Sequence, residues 1–318
     1  MIAVRRFVTL FLLLCATTHC VLSIFYVNVS YLDLKDYAAG RAPLPFQHRL
    51  LMIPFVRWAE ACQWLQMVAA RWVRVVPQSE PLSAAKLGCM LLGVILVSAI
   101  GLATKLLARR LSLRHDWLPW ALLLVSLYAG YAARYEQALW YPYDLPQLAV
   151  FGAATLFLLL DRPVPFLACV AVDVFLRETS IFLVVLVLVL HYRSTIWRVT
   201  SVAGAALWGV SRLLAQHLYP HNAYRWNAVP WYRMAAPWHW PQVFSIVGFL
   251  WIPVWMGRRF LSQTQRLALY GASAMMLLEF YFATWNETRV WLEWSVLFAV
   301  LAATELEAGF TASSERAA

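Results

Sequence analysis

Three carboxylates in this sequence stand where little water is expected. Asp173, Glu279 and Glu293 each interrupt a run of apolar residues. A carboxylate in hydrocarbon costs several kcal/mol unless it faces a wet cavity or a cationic partner. The economical reading is a polar cavity sunk partly between helices. A larger set of charges sits at the ends of neighbouring apolar runs: Asp33, Asp36, Arg49, Arg134, Glu136, Asp144, Arg177, Glu178, Glu287 and Arg289. A third group, residues 216–241, is dense in Trp, Tyr, His and Pro, with Trp226, Trp231, Trp238 and Trp240 among them. Aromatic faces suit sugar rings and prenyl chains, and the interspersed Arg225, Arg233, His221 and His239 suit phosphate. Simpler accounts stand beside each of these. Asp173 and Arg177 are one helical turn apart and could neutralise each other. Trp and Tyr also anchor helices at membrane interfaces.

The elements that must position these residues are helices. Of the 318 residues, 62% are hydrophobic and 13% charged, and the mean hydropathy is +0.63. A soluble domain is nearer about half apolar and about a quarter charged. The apolar residues fall in ten runs, 7–28, 86–108, 117–133, 145–160, 163–176, 179–191, 196–215, 242–257, 267–283 and 290–305. The expected fold is therefore an all-α membrane protein, a bundle of about ten transmembrane helices in one domain over 1–305, with a short cytoplasmic tail over 306–318. Several runs are shorter than the ~20 residues of a full crossing. The first run is expected to be retained, since apolar residues continue past Cys20 with no small-x-small cleavage site.

Basic residues set the expected orientation. Arg5 and Arg6, then Arg109, Arg110 and Arg114, then Arg162, Arg193 and Arg198, then Arg258, Arg259 and Arg266 fall in alternate connections. A cytoplasmic N-terminus puts every one of these clusters in the cytoplasm, with the C-terminus beside them. All ten charges grouped above then lie outside, and each of the three deep acids lies roughly 5 Å, one turn, below the outer end of its helix. The long first outer loop, 29–85, carries an apolar stretch from 48 to 76 broken by Arg49, Arg57, Glu60, Arg71 and Arg74. It reads as surface-lying amphipathic helices. An extra span there is the competing reading, and it would invert the basic clusters downstream.

The net charge of +10 fits topology signals and lipid headgroups. It does not fit nucleic acid, which would need the excess gathered on a soluble face or tail. The five cysteines show no ligand spacing, and no P-loop, GxGxxG, HExxH or GxSxG occurs.

Several short stretches, taken together, resemble a known group. They are Tyr31-Leu-Asp33-Leu-Lys-Asp36-Tyr37, Pro45-Phe-Gln47-His-Arg49, Tyr141-Pro-Tyr-Asp144-Leu-Pro146, Arg177-Glu178-Thr179-Ser180 and Asn286-Glu287-Thr-Arg289. In this order the chain resembles a distant branch of the GT-C glycosyltransferases, polytopic proteins of the bacterial inner membrane. The resemblance covers residues 1–305 in architecture and is specific only in those stretches. It implies transfer of a sugar from a polyprenyl-phosphate donor to a glycan or lipid acceptor at the outer, periplasmic face. It further implies that Asp33 or Asp36, in the first outer loop, is the catalytic base. Arg49, Arg177 and Arg289 would hold the donor phosphate, and Tyr141, Asp144, Glu178 and Glu287 would line the substrate site. Many members carry adjacent acids or acid-x-acid where this chain has Asp-x-x-Asp. That spacing puts both carboxylates on one face if the segment is helical. The cofactor stays open, since nothing in the sequence indicates a divalent metal. Two other readings stand beside this one: a transporter or flippase-like permease, and a non-catalytic membrane subunit of an envelope-assembly complex. The absence of an internal repeat and the placing of charges toward one face weigh against transport.

Overall fold

The computed structural model of the protein describes residues 2–75, 82–132, 139–222, 240–282 and 288–317. The described chain is mostly helical. Its only sheet among the described residues is a two-stranded parallel pair, β1 (Val29–Ser30) with β2 (Leu139–Trp140). The first helix, α1, covers Ile2–Val27. The loop that follows holds three short helices, α2 (Leu34–Ala38), α3 (Met52–Ala61) and α4 (Gln63–Val75). Then come α5 (Ala84–Arg110), α6 (Leu118–Leu127) extended by a π turn over Tyr128–Ala132, α7 (Asp144–Leu159), α8 (Pro163–Asp173), α9 (Ile181–His191) and α10 (Thr195–Leu218). The last stretch holds α11 (Trp240–Phe244), α12 (Trp251–Gly257), α13 (Gln263–Phe282) and α14 (Ser295–Ala317).

Two of these helices are long and apolar enough to cross a membrane, one over Val4–Val27 and the other over Ala84–Arg110. Their termini follow local rules. Ser83 caps α5 by accepting the Lys86 amide at 3.1 Å, and Arg109 and Arg110 close its last turn, where cations suit the exposed carbonyls. Pro163 opens α8, where its missing N–H costs nothing. Between α7 and α8 the chain reverses at Asp161, whose φ of 54° an aspartate tolerates better than most residues. Its carboxylate accepts the Trp197 indole N–H at 2.5 Å. The Asp161-Arg162 pair is thus the turn itself.

The outward faces are apolar. On α10, Ile196, Val199, Val202, Val210 and Leu213 are all more than half exposed, as are Phe7, Phe11 and Leu12 on α1. The amphipathic stretch 48–76 folds as α3 and α4. Met52, Val56, Ala59, Leu65 and Ala69 turn inward against α5, and Trp58 and Trp64 turn outward.

The structure departs from the sequence reading in two elements. The run 242–257 is three short pieces, because Val247, Gly248 and Phe249 all take positive φ. The cause is a close approach: a Cβ on Gly248 would lie 2.5 Å from the Ser126 Cα of α6. The run 290–305 starts as a 3-10 segment, Thr288–Trp294, and its helix continues past 305 to Ala317.

Candidate functional site

Three arginines and their carboxylates organise one end of the molecule. Arg49 follows the 3-10 turn Phe46–His48 of the first loop. It meets Glu178, 129 residues away, in a fork: Nη2 to Oε1 at 2.8 Å and Nε to Oε2 at 3.3 Å. Such a two-toothed pair fixes direction as well as distance. Arg289 stands over Asp144 at the first turn of α7, 3.3 Å from Oδ1, and both side chains are buried. Asp144 also accepts the Tyr131 hydroxyl at 2.9 Å and the Tyr141 amide at 3.1 Å. Arg177 reaches Glu293 at 3.7 Å and the Val290 carbonyl at 3.5 Å. Glu293 Oε2 also accepts Gln147 Nε2 and Thr179 Oγ1, both at 2.7 Å.

Aromatic rings join the pairs. Tyr31 lies against Phe46 and Tyr141 at centroid distances of 5.4 and 5.7 Å, and Tyr141 stacks on Phe46 and on Tyr143, both at 5.3 Å. Arg289 caps the Tyr141 ring at 4.0 Å and Arg49 the Tyr143 ring at 4.4 Å, each a cation over a π face. Tyr31 ends the stack and is 44% exposed. The β1–β2 pair holds the two ring-bearing segments in register.

The cavity at the centre is small. It is lined by Tyr131, Asp144, Gln147, Arg177, Arg289 and Glu293 with four leucines, and its volume of about 10 Å³ is room for about one water. A ligand pocket is typically several hundred Å³. The expected open polar cavity is therefore largely filled by the charges that were to line it, because each of the three guanidiniums is drawn to a carboxylate. The Asp173–Arg177 pairing is also not formed: Arg177 turns to Glu293. Among the described residues the buried Asp173 carboxyl oxygens have no hydrogen-bond partner at normal distance, nor do those of Glu279, which lies beside Glu293 and Trp294.

The structure does not bring the two loop carboxylates into this network. Asp33 caps α2, its Oδ1 accepting the amides of Lys35 at 2.8 Å and Asp36 at 3.3 Å. Asp36 pairs with Arg41 at 2.7 Å, and both side chains are at least half exposed. No hydrogen bond or ion pair among the described residues joins either of them to Arg49, Arg177 or Arg289. The connection is indirect: Tyr37, beside Asp36 and fully buried, donates its hydroxyl to the Arg49 carbonyl. Glu287 lies outside the described residues, as do Arg134, Glu136 and most of 216–241. From that segment, Asn222 ties back to the first loop through the carbonyls of Gly40 and Ala42, at 2.9 and 2.8 Å.

Residues beyond those singled out take part. Arg212 lies 3.9 Å from Glu178 and donates to the Val174 carbonyl at 2.5 Å. The criterion that singled out the deep acids, a charge inside an apolar run, applies equally to Arg212. Gln147, one turn into α7, would have been found by the same test extended to amides.

Burial alone would raise the Glu178 carboxyl, but the Arg49 guanidinium outweighs it, with Arg177 adding to the effect, and holds the group down to about 2. A depressed folded-state value means that the pair contributes stability above the ordinary carboxylate range and loses it as pH falls toward about 2. The difference in thermal unfolding midpoint between the native chain and Glu178→Gln should be constant above pH about 5 and shrink as pH drops to about 2. A difference that stays flat across that window would show that the pair adds nothing.

No protein-family model, curated protein or solved structure matches the chain.

Proposed function

We propose that the chain is a multi-pass inner-membrane protein of about ten spans, and that it transfers a sugar from a polyprenyl-phosphate donor at its outer face. The span reading is supported by how long-range contacts sort into two ends. Arg49–Glu178, Arg289–Asp144, β1–β2 and Asn222 on the first loop join only residues that the orientation assigns outside. Glu307 with the amides of Arg114 and His115, and Asp161 with Trp197, join only residues that it assigns inside. The apolar outward faces of α1 and α10 suit lipid better than water. Reporter fusions after Arg114 and after Tyr219 should give opposite signals, and equal signals would rule out this topology.

The observation that carries the catalytic part is the state of Asp36. It stays half exposed on α2 while its neighbour Tyr37 is buried and anchored to the arginine network. A carboxylate held rigidly but wet can take a proton from an acceptor hydroxyl arriving from outside. The stack ending at Tyr31 offers a flat apolar surface to a sugar ring or prenyl chain. The arginines stabilise the leaving phosphate in this reading only if a donor displaces their carboxylates. Transfer of labelled sugar into membranes containing the protein tests the assignment directly.

One observation favours the permease reading. Asp173 is a buried carboxyl with no hydrogen-bond partner among the described residues, and the buried Glu279 carboxyl lies beside Glu293; acids so placed in a membrane often mark a solute or proton path. A native protein that transfers no sugar from any polyprenyl donor would move that reading ahead.

A further inference from the structure

At the end opposite the arginine–carboxylate network, the chain reverses between α12 and α13 through a 3-10 turn, Arg258–Phe260. Here an open cleft of about 260 Å³ is lined by Met256, Arg258, Arg259, Arg266 and Tyr270. Three guanidiniums and a phenol thus converge on one space, with a thioether at its edge. The contrast with the other end of the molecule is chemical. There, every arginine of the network has a carboxylate within 4 Å. Here, none of the three forms an ion pair among the described residues. Glu305, which lies near Arg259, does not enter the cleft: it is 4% exposed, packed beneath Gly257, where an added Cβ would lie 1.9 Å from its Oε2.

Two of the arginines are held in place by neighbours that leave charge to spare. Arg258 donates Nη1 to the Trp255 carbonyl at 2.7 Å and lies 5.8 Å above the Trp255 ring. Arg259 lies 4.8 Å over the Phe260 ring. Each keeps further N–H donors, since a guanidinium has five. Beside the cleft the surface turns apolar: Met256 is 78% exposed and Phe260 38%. Three guanidiniums with a single carboxyl nearby, next to an exposed apolar wall, match an amphipathic anion, with a phosphate head among the guanidiniums and an acyl chain along Met256 and Phe260.

We propose that this cleft binds the phosphate headgroup of an anionic glycerophospholipid of the inner leaflet. The proposal rests on the membrane-spanning reading above and is independent of the sugar-transfer reading. The shared chemistry is a phosphate ester, which a soluble phosphate could also supply, so the test separates the two sources.

The full-length protein is purified in a neutral detergent and exposed to dioctanoyl phosphatidylglycerol, dioctanoyl phosphatidylcholine or inorganic phosphate. Bound adducts are counted by native mass spectrometry. Phosphatidylglycerol should be retained by the native chain and bound at least tenfold more weakly by the variant with Arg258→Gln, Arg259→Gln and Arg266→Gln together. Arg193→Gln with Arg198→Gln, which lowers charge elsewhere on the same end, should leave retention unchanged. Phosphatidylcholine should be bound weakly by all. Arg266→Gln alone, more conservative for folding, should give a partial loss, so a misfolded triple variant does not end the test. Equal retention by the native and triple variants overturns the proposal, and so does equal loss in the Arg193/Arg198 control. Inorganic phosphate that displaces the lipid at equal concentration overturns the lipid as the ligand. Failure of the membrane reading is seen separately, as a chain that stays soluble without detergent.

Discussion

Asp36→Asn should lower transfer of radiolabelled sugar from polyprenyl-phosphate donors by a factor of about a hundred to ten thousand, the usual cost of a lost general base. Its stability should change far less. The Asp36–Arg41 pair is at least half exposed on both sides, and such pairs are worth about 1 kcal/mol or less. A large loss of rate with an intact fold is therefore the signature of the proposed role. Asp33→Asn separates the two loop acids. Asn is as good a helix cap as Asp, so this variant keeps α2 in place while removing the charge. Because the Asp33 carboxylate is already turned to the amides of Lys35 and Asp36, Asp33→Asn should cost less rate than Asp36→Asn. If Asp36→Asn, Asp33→Asn and the double variant all transfer sugar at the native rate, neither acid is the base.

Much of the helical plan can be read from hydropathy, because an apolar run must pair its own backbone groups wherever water is scarce. The runs 86–108, 145–160 and 163–176 become Ala84–Arg110, Asp144–Leu159 and Pro163–Asp173. Periodicity carries no record of tertiary contact, and 242–257 breaks for that reason: Gly248 sits against Ser126 of another helix. The site divides in the same way. Arg49, Asp144, Arg177, Glu178 and Arg289 stand out in the sequence because they gather at the ends of apolar runs that the basic clusters assign to one side. Which acid meets which base is another matter. The three pairs join residues 116 to 145 positions apart, and nothing local distinguishes Arg177–Glu293 from the nearer Arg177–Asp173. Asp33 was legible in a different sense, as an acid one residue before a short helix, which is a capping position before it is a catalytic one.

Arg289→Gln should destabilise the protein by about 3 to 5 kcal/mol, the usual cost of leaving one partner of a buried pair alone. Both side chains of the Arg289–Asp144 pair are less than a tenth exposed, so solvent cannot replace the lost guanidinium. Asp144 would keep the Tyr131 hydroxyl, the Tyr141 amide and the N-terminal end of α7, which places the expected loss toward the lower figure. The Tyr141 ring would lose its cation as well. Unfolding of the detergent-solubilised protein by denaturant measures the effect, and a double-mutant cycle assigns it. Asp144→Asn with Arg289→Gln should be more stable than the sum of the two single losses predicts, because no charge is then left buried and alone. The same variants separate the two roles open to Arg289. If it holds the donor phosphate and owes nothing to Asp144, Arg289→Gln will lower sugar transfer while changing stability by less than about half a kcal/mol. If it is the structural partner of Asp144, stability falls first, and the double variant recovers part of it. A single variant as stable as the native chain would remove the buried pair from the account of what holds this end of the molecule together.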